Sequence, residues 1–97
     1  MQEGFLEVLF PTGPDFDLDA RDDFEGWISG MLYRSELGEV TGAGMGDGVA
    51  VLDIEIAHAE LTPQAVQLLL ELLRRKGAPA GTLIHERQPV DQVHRLI

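Results

Sequence analysis

The sequence predicts an α+β domain with a four-stranded antiparallel sheet and two helices on one face. Three observations carry that reading. Apolar residues alternate through Phe5–Phe10 and Val49–Ala57, the period of a strand that buries one side. They recur every three or four residues in Ala20–Leu32 and Ala65–Leu73, the period of a helix. The segments follow one another as β-α-β-β-α-β. The simplest closed solution of that order is the ferredoxin-like split βαβ arrangement, strand order 4-1-3-2, with the first and third strands central.

The first strand, Phe5-Leu6-Glu7-Val8-Leu9-Phe10, is ended by Pro11, Gly13 and Pro14. Next comes an acidic stretch, Asp15–Asp23, leading into the first helix, where Ala20, Phe24, Trp27, Ile28, Met31 and Leu32 share one face. Asp17 or Asp19 caps its N-terminus, and acids in the first turn suit the helix dipole. Gly26 and Gly30 each weaken this helix by ~1 kcal/mol. Four residues apart, they leave room for tight packing against a strand or the second helix. Trp27 reads as core. Gly38–Gly42 is a weak second strand, and Gly44-Met45-Gly46-Asp47-Gly48 a mobile hairpin tip with positions free to take positive φ.

Val49–Ala57 is the clearest strand in the chain. Thr62 caps the second helix, with Pro63 at its first position. Arg74, Arg75 and Lys76 favour its C-terminal end, and Gly77 and Pro79 stop it. Thr82–Arg87 forms the last strand. Residues 88–97 are a short tail in which Val90, Val93 and Ile97 share one side of a helical turn. The whole chain, 1–97, reads as a single domain, long enough to bury one core.

Charge divides the chain. Residues 1–61 hold fourteen carboxylates against two Lys or Arg, whereas 62–97 hold five cations against three carboxylates, for a net charge of −10. Such an excess repels polyanions and steers cationic partners inward, so nucleic acid and anionic membrane are not expected partners. The chain has no cysteine, which excludes disulfides, thiolate nucleophiles and Cys-ligated metal. Its start, Met1-Gln2-Glu3, lacks the basic residues of a signal peptide and Pro11 interrupts the apolar run. No apolar run approaches the ~20 residues of a membrane span. A soluble, cytoplasmic protein is the expectation.

No catalytic motif emerges. Asp53 and Glu55 share one strand face, yet nothing in the sequence would push their pKa values apart, as acid/base work requires. Asp15-Phe16-Asp17-Leu18-Asp19 begins like a calcium loop, but Ala20 stands where Gly is needed and Gly26 where Glu is needed. His58, His85 and His94 lack metal-ligand spacing, and neither Ser29 nor Ser35 sits in a nucleophile elbow. The Gly42–Gly48 segment matches no phosphate-binding loop and opens no helix. The chain also has no Asn, which separates it from the acylphosphatases that share this fold and are expected to use an Arg and an Asn. The expectation is a non-enzyme with no cofactor and no metal.

The pattern does predict a binding face. With Leu6, Val8, Phe10, Ala50, Leu52, Ile54 and Ile56 turned to the helices, the other side of the sheet carries Phe5, Glu7, Leu9, Val49, Val51, Asp53 and Glu55. Glu39 and Thr41 join them if Val40 faces the core. Phe5, Glu7, Leu9, Glu39, Asp53 and Glu55 are the candidate partner-binding residues, with the acidic stretch Asp15–Asp23 as a second surface. The second helix has an apolar arc of roughly 200°, wider than a surface helix needs. Leu68 and Leu70 are therefore candidates for cover by the tail, a second copy or a partner.

Short, acidic, Cys-free and without a catalytic signature, the chain is similar in composition to the small antitoxin and immunity proteins of bacterial conflict systems. That resemblance implies a non-enzymatic inhibitor that covers a basic protein partner. The alternative is a homo-oligomeric regulatory or small-ligand-binding domain, paired through Leu68 or Leu70.

Overall fold

The computed structural model describes residues 2–96. It runs β1 (Gly4–Pro11), α1 (Leu18–Ser35), β2 (Gly38–Gly46), β3 (Val49–Ile56), a 3-10 turn (Ala59–Leu61), α2 (Thr62–Arg75), β4 (Leu83–Gln88) and β5 (Gln92–Arg95). The strands pair antiparallel in the order β2-β3-β1-β4-β5. The sheet thus has five strands where the sequence predicts four. The extra one comes from the segment expected to be a tail with a helical turn; Ile97, assigned to that turn, lies outside the described residues.

The reason is an inverted polarity. Gln92 and His94 of β5 pair with Glu86 and Ile84 of β4 and so take the core-side parity, while Val93 pairs with His85 on the other face. A strand whose inward positions are polar leaves no hydrophobic alternation to read. Those inward residues serve Glu86, only 4% exposed. Its Oε1 accepts hydrogen bonds from His94 Nε2 at 2.9 Å and Gln92 Nε2 at 3.0 Å. A buried carboxylate needs such donors, and β5 supplies them.

In β1 and β3 the alternation is complete. Leu6, Val8, Phe10, Ala50, Leu52, Ile54 and Ile56 are buried and their neighbours half-buried. Phe24, Ile28 and Leu32 of α1 and Ala65, Val66, Leu69, Leu70, Leu72 and Leu73 of α2 join the same core. Burying each large apolar side chain contributes about 1.5–3 kcal/mol. A one-residue slip of either strand would turn its whole set to water, so the register is firmly held. Phe10, Phe16 and Phe24 cluster with centroid separations of 4.6 to 5.8 Å, fastening the loop after β1 to α1.

Local signals hold in some places and give way in others. Asp17 caps α1, its Oδ1 accepting the Ala20 N–H at 3.0 Å. Trp27, expected in the core, instead sits at the rim and is 38% exposed. It lies edge-on to Phe24 and under Lys76 Nζ, 4.7 Å from the ring centre. Gly26 and Gly30 mark no close approach, since a Cβ would meet nothing at Gly26 and only the Arg34 side chain at Gly30. The close approaches lie at Gly4, where a Cβ would fall on Thr62 Oγ1, and at Gly38, where it would fall on the Glu55 carbonyl. Thr62 does not cap α2. It lies inside the first turn with Oγ1 buried and unpartnered, and Leu61 holds the cap position without a side-chain bond.

The Gly-rich segment is mostly strand. β2 continues to Gly46, with a bulge at Thr41, and only Asp47 (φ 53°) and Gly48 (φ 79°) form the turn, a two-residue hairpin suited to Asp-Gly. At the other edge, Arg74 Nε donates to the Leu96 carbonyl at 3.3 Å, which lays the end of the described chain beside α2. Leu70 is buried within the chain and Leu68 is half-buried against the same core. No helix among the described residues is long and apolar enough to cross a membrane.

Candidate functional site

Both helices pack on one side of the sheet, so the other side is left without a covering layer. Strand register arranges its side chains in transverse rows. Glu39, Glu55 and Phe5 form one row, on β2, β3 and β1. The next runs Gly42, Asp53, Glu7, His85, Val93 across all five strands. A third runs Gly44, Val51, Leu9, Leu83, Arg95, and the last holds Gly46, Val49 and Pro11. All six candidate partner-binding residues therefore stand on one face, Phe5 directly opposite Glu55, Glu7 opposite Asp53, and Glu39 on the far side of Glu55. Thr41, expected beside them, is instead the extra residue of the bulge.

The rows differ in chemistry. At one end a shallow basin of about 630 Å³ is lined by Glu3, Glu7, Asp53, Glu55 and Asp91, with Arg87 the single permanent cation among its lining residues. Arg87 Nη1 donates to Glu7 Oε1 at 2.8 Å. The His85 ring lies between two carboxylates, Nε2 at 2.6 Å from Asp91 Oδ1 and Nδ1 at 3.5 Å from Glu7 Oε1. At the other end, Val49, Val51, Leu9 and Leu83 form an apolar strip flanked on β2 by Gly44 and Gly46. Those glycines carry no side chain to cover it.

The acidic end is crowded enough to disturb a titration. The Glu55 carboxyl is pushed above its ordinary range, first by a hydrogen bond and charge repulsion from Glu3, then by partial loss of hydration and the charge of Glu39. Glu39 and Glu55 are direct cross-strand neighbours, and like charges so placed are destabilising. This strain is relieved by any cation that settles between them. Among the described residues no group of three or more His, Asp or Glu side chains is placed to hold a metal ion.

The acidic stretch Asp15–Asp23 is partly committed elsewhere. Asp17 caps α1 and Asp22 pairs with Arg21 at 3.1 Å. Sequence reasoning missed Glu3, Leu83, Arg87, Asp91 and Val93 on the open face. The alternation of β4 carried the signal for Leu83. Asp91 and Val93 depend on β5, which carried none.

Compared with protein-family models, curated protein sequences and solved structures, the chain matches none of them.

Proposed function

We propose that this chain is a non-enzymatic protein-binding module, an inhibitor or immunity-type protein that neutralises a basic protein partner in the cytoplasm by covering it with the open face of the sheet. The observation that carries this reading is the juxtaposition, on one uncovered face, of an acidic basin and an apolar strip. Arg or Lys side chains of the partner enter the basin and relieve the Glu3–Glu55–Glu39 repulsion. Apolar groups of the partner seat on Leu9, Val49 and Val51. Charge steers the encounter and sets its rate, while the desolvated apolar contacts slow dissociation. Nucleic acid and anionic membrane are repelled by the same field.

The alternative, a homo-oligomeric domain joined through α2, draws less support, because Leu70 is already buried within the single chain.

The test is affinity capture from native-host lysate with wild-type protein and the Asp53→Lys/Glu55→Lys variant, followed by association kinetics on the purified pair. A stoichiometric basic partner, bound more slowly by the variant and more slowly at high salt, is expected, since screening shortens the field to about 8 Å at physiological ionic strength. Capture of only self-copies, indifferent to salt and to the double substitution, would sink the reading.

A further inference from the structure

A second cavity lies on the helix side of the sheet, where the start of α2 meets the β4–β5 hairpin. It is a half-open hollow of about 330 Å³, and its walls include Pro63 and Val66 of α2 and Pro89 and Val90 of the hairpin. Glu86 also lines it, with a side chain only 6% exposed. This is the one charged residue among the buried described residues.

Its two oxygens are used unequally. Both protein donors, His94 Nε2 and Gln92 Nε2, fall on Oε1. Oε2 accepts no hydrogen bond from the described residues and is not sealed from solvent, so it opens toward the cavity. A carboxylate only accepts, so His94 Nε2 carries the hydrogen in that bond, and a neutral imidazole suffices to make it. Neither donor therefore brings an obligatory positive charge. Glu60 on the cavity lining adds a further negative one. A largely desolvated carboxylate with one oxygen open to the cavity and no fixed cation gains from a charged donor that reaches it. The cavity supplies the space for one.

The missing group is constrained in shape as well as charge. Arg-like guanidinium recognition uses both carboxylate oxygens in a fork, and here Oε1 is already taken. An ammonium is a compact point charge that one oxygen can serve. Apolar walls favour hydrocarbon around it, and the volume stands at the lower end for ligand pockets. We propose that this cavity binds a small organic cation, a primary ammonium on a compact hydrocarbon body, with the ammonium on Glu86 Oε2 and the body against Pro63, Val66, Pro89 and Val90. The site is separate from the open face and does not depend on the function proposed for it.

Benzylamine and its neutral counterpart benzyl alcohol are the probes, titrated at neutral pH into the full-length ¹⁵N-labelled protein while amide shifts are followed. The expected result is a saturable benzylamine shift at Val66, Glu86 and Val90, in the millimolar range that so small a ligand allows. Glu86→Gln should weaken it by at least about tenfold, the worth of a charge-assisted hydrogen bond, and benzyl alcohol should bind at least as poorly. Val90→Trp blocks the cavity mouth from an exposed position, so it tests the same claim if Glu86→Gln fails to fold. Asp53→Lys/Glu55→Lys should leave the shift unchanged. The proposal is overturned by equal binding of the alcohol, by binding indifferent to the folded cavity variants, by shifts centred on the open face, or by no saturable shift.

Discussion

Replacing Gly38 by Ala is expected to damage the protein, whereas replacing Gly44 by Ala in the same strand is expected to help it. A Cβ at Gly38 would fall on the Glu55 carbonyl oxygen, with Glu55 C and Ile56 Cα each 3.0 Å away. All three are backbone atoms of β3, so no rotamer change can relieve the clash. Gly38 and Ile56 begin the β2–β3 ladder, and relief means prising the strands apart at that rung. Overpacking of this kind costs about 1–3 kcal/mol. At Gly44 a Cβ would meet nothing within 4 Å and φ is not positive, so Ala there stabilises by about 0.4–1 kcal/mol through the unfolded chain. The two variants should differ by roughly 1.5–4 kcal/mol, a Tm gap on the order of 10 °C for a domain of this size. Thermal and urea unfolding followed by circular dichroism measures it. Equal midpoints for the two variants would refute the close approach and the strand register that creates it.

Two further outcomes follow from the titratable groups. Glu55→Gln should raise stability at neutral pH and lose that advantage in acid. The Glu55 carboxyl is raised in the folded state by Glu3 first, with smaller contributions from lost hydration and Glu39, so the folded protein holds this proton more tightly than the unfolded chain. Below the ordinary carboxylate range both states are protonated and Gln offers nothing. As pH rises through the raised value the folded state acquires the repulsion, and Gln escapes it. Paired unfolding curves at about pH 3.5 and pH 7 test this; an equal difference at both would exclude the repulsion. His94→Ala should cost about 1.5–3 kcal/mol, because it strips a donor from a buried carboxylate. In a Glu86→Gln background the loss should shrink, and a double-mutant cycle with no coupling would show that the pair does not stabilise the hairpin.

Much of the open face was legible because a strand's side chains alternate whatever surrounds them. Phe5, Glu7 and Leu9 had to oppose Leu6, Val8 and Phe10, and Asp53 and Glu55 had to oppose Leu52 and Ile54. Glu39 was less secure, since the Thr41 bulge shifts parity along β2 and only the ladder reveals where the shift falls. The glycines show the same limit. Sequence pattern pointed to Gly26 and Gly30 as sites of tight packing, whereas Gly4 and Gly38 take that role. Which glycine meets another backbone depends on a neighbour far away in the chain. Trp27 shared the apolar spacing of α1 but lies at the margin of its buried stripe, with one edge against Phe24 and Lys76 over the ring.

By itself, then, the sequence determined two helices, the strands β1, β3 and β4 with the start of β2, the inward and outward sets of β1 and β3, and the negative field. These follow from local periodicity and from charge, which need no knowledge of neighbours. Only the tertiary structure decided that the segment 92–95 is a fifth strand and that Glu86 is buried beneath it. It also decided that the open face splits into an acidic basin and an apolar strip. Each of these rests on register between strands distant in sequence, and in β5 on inward residues chosen to hydrogen-bond a carboxylate rather than to avoid water.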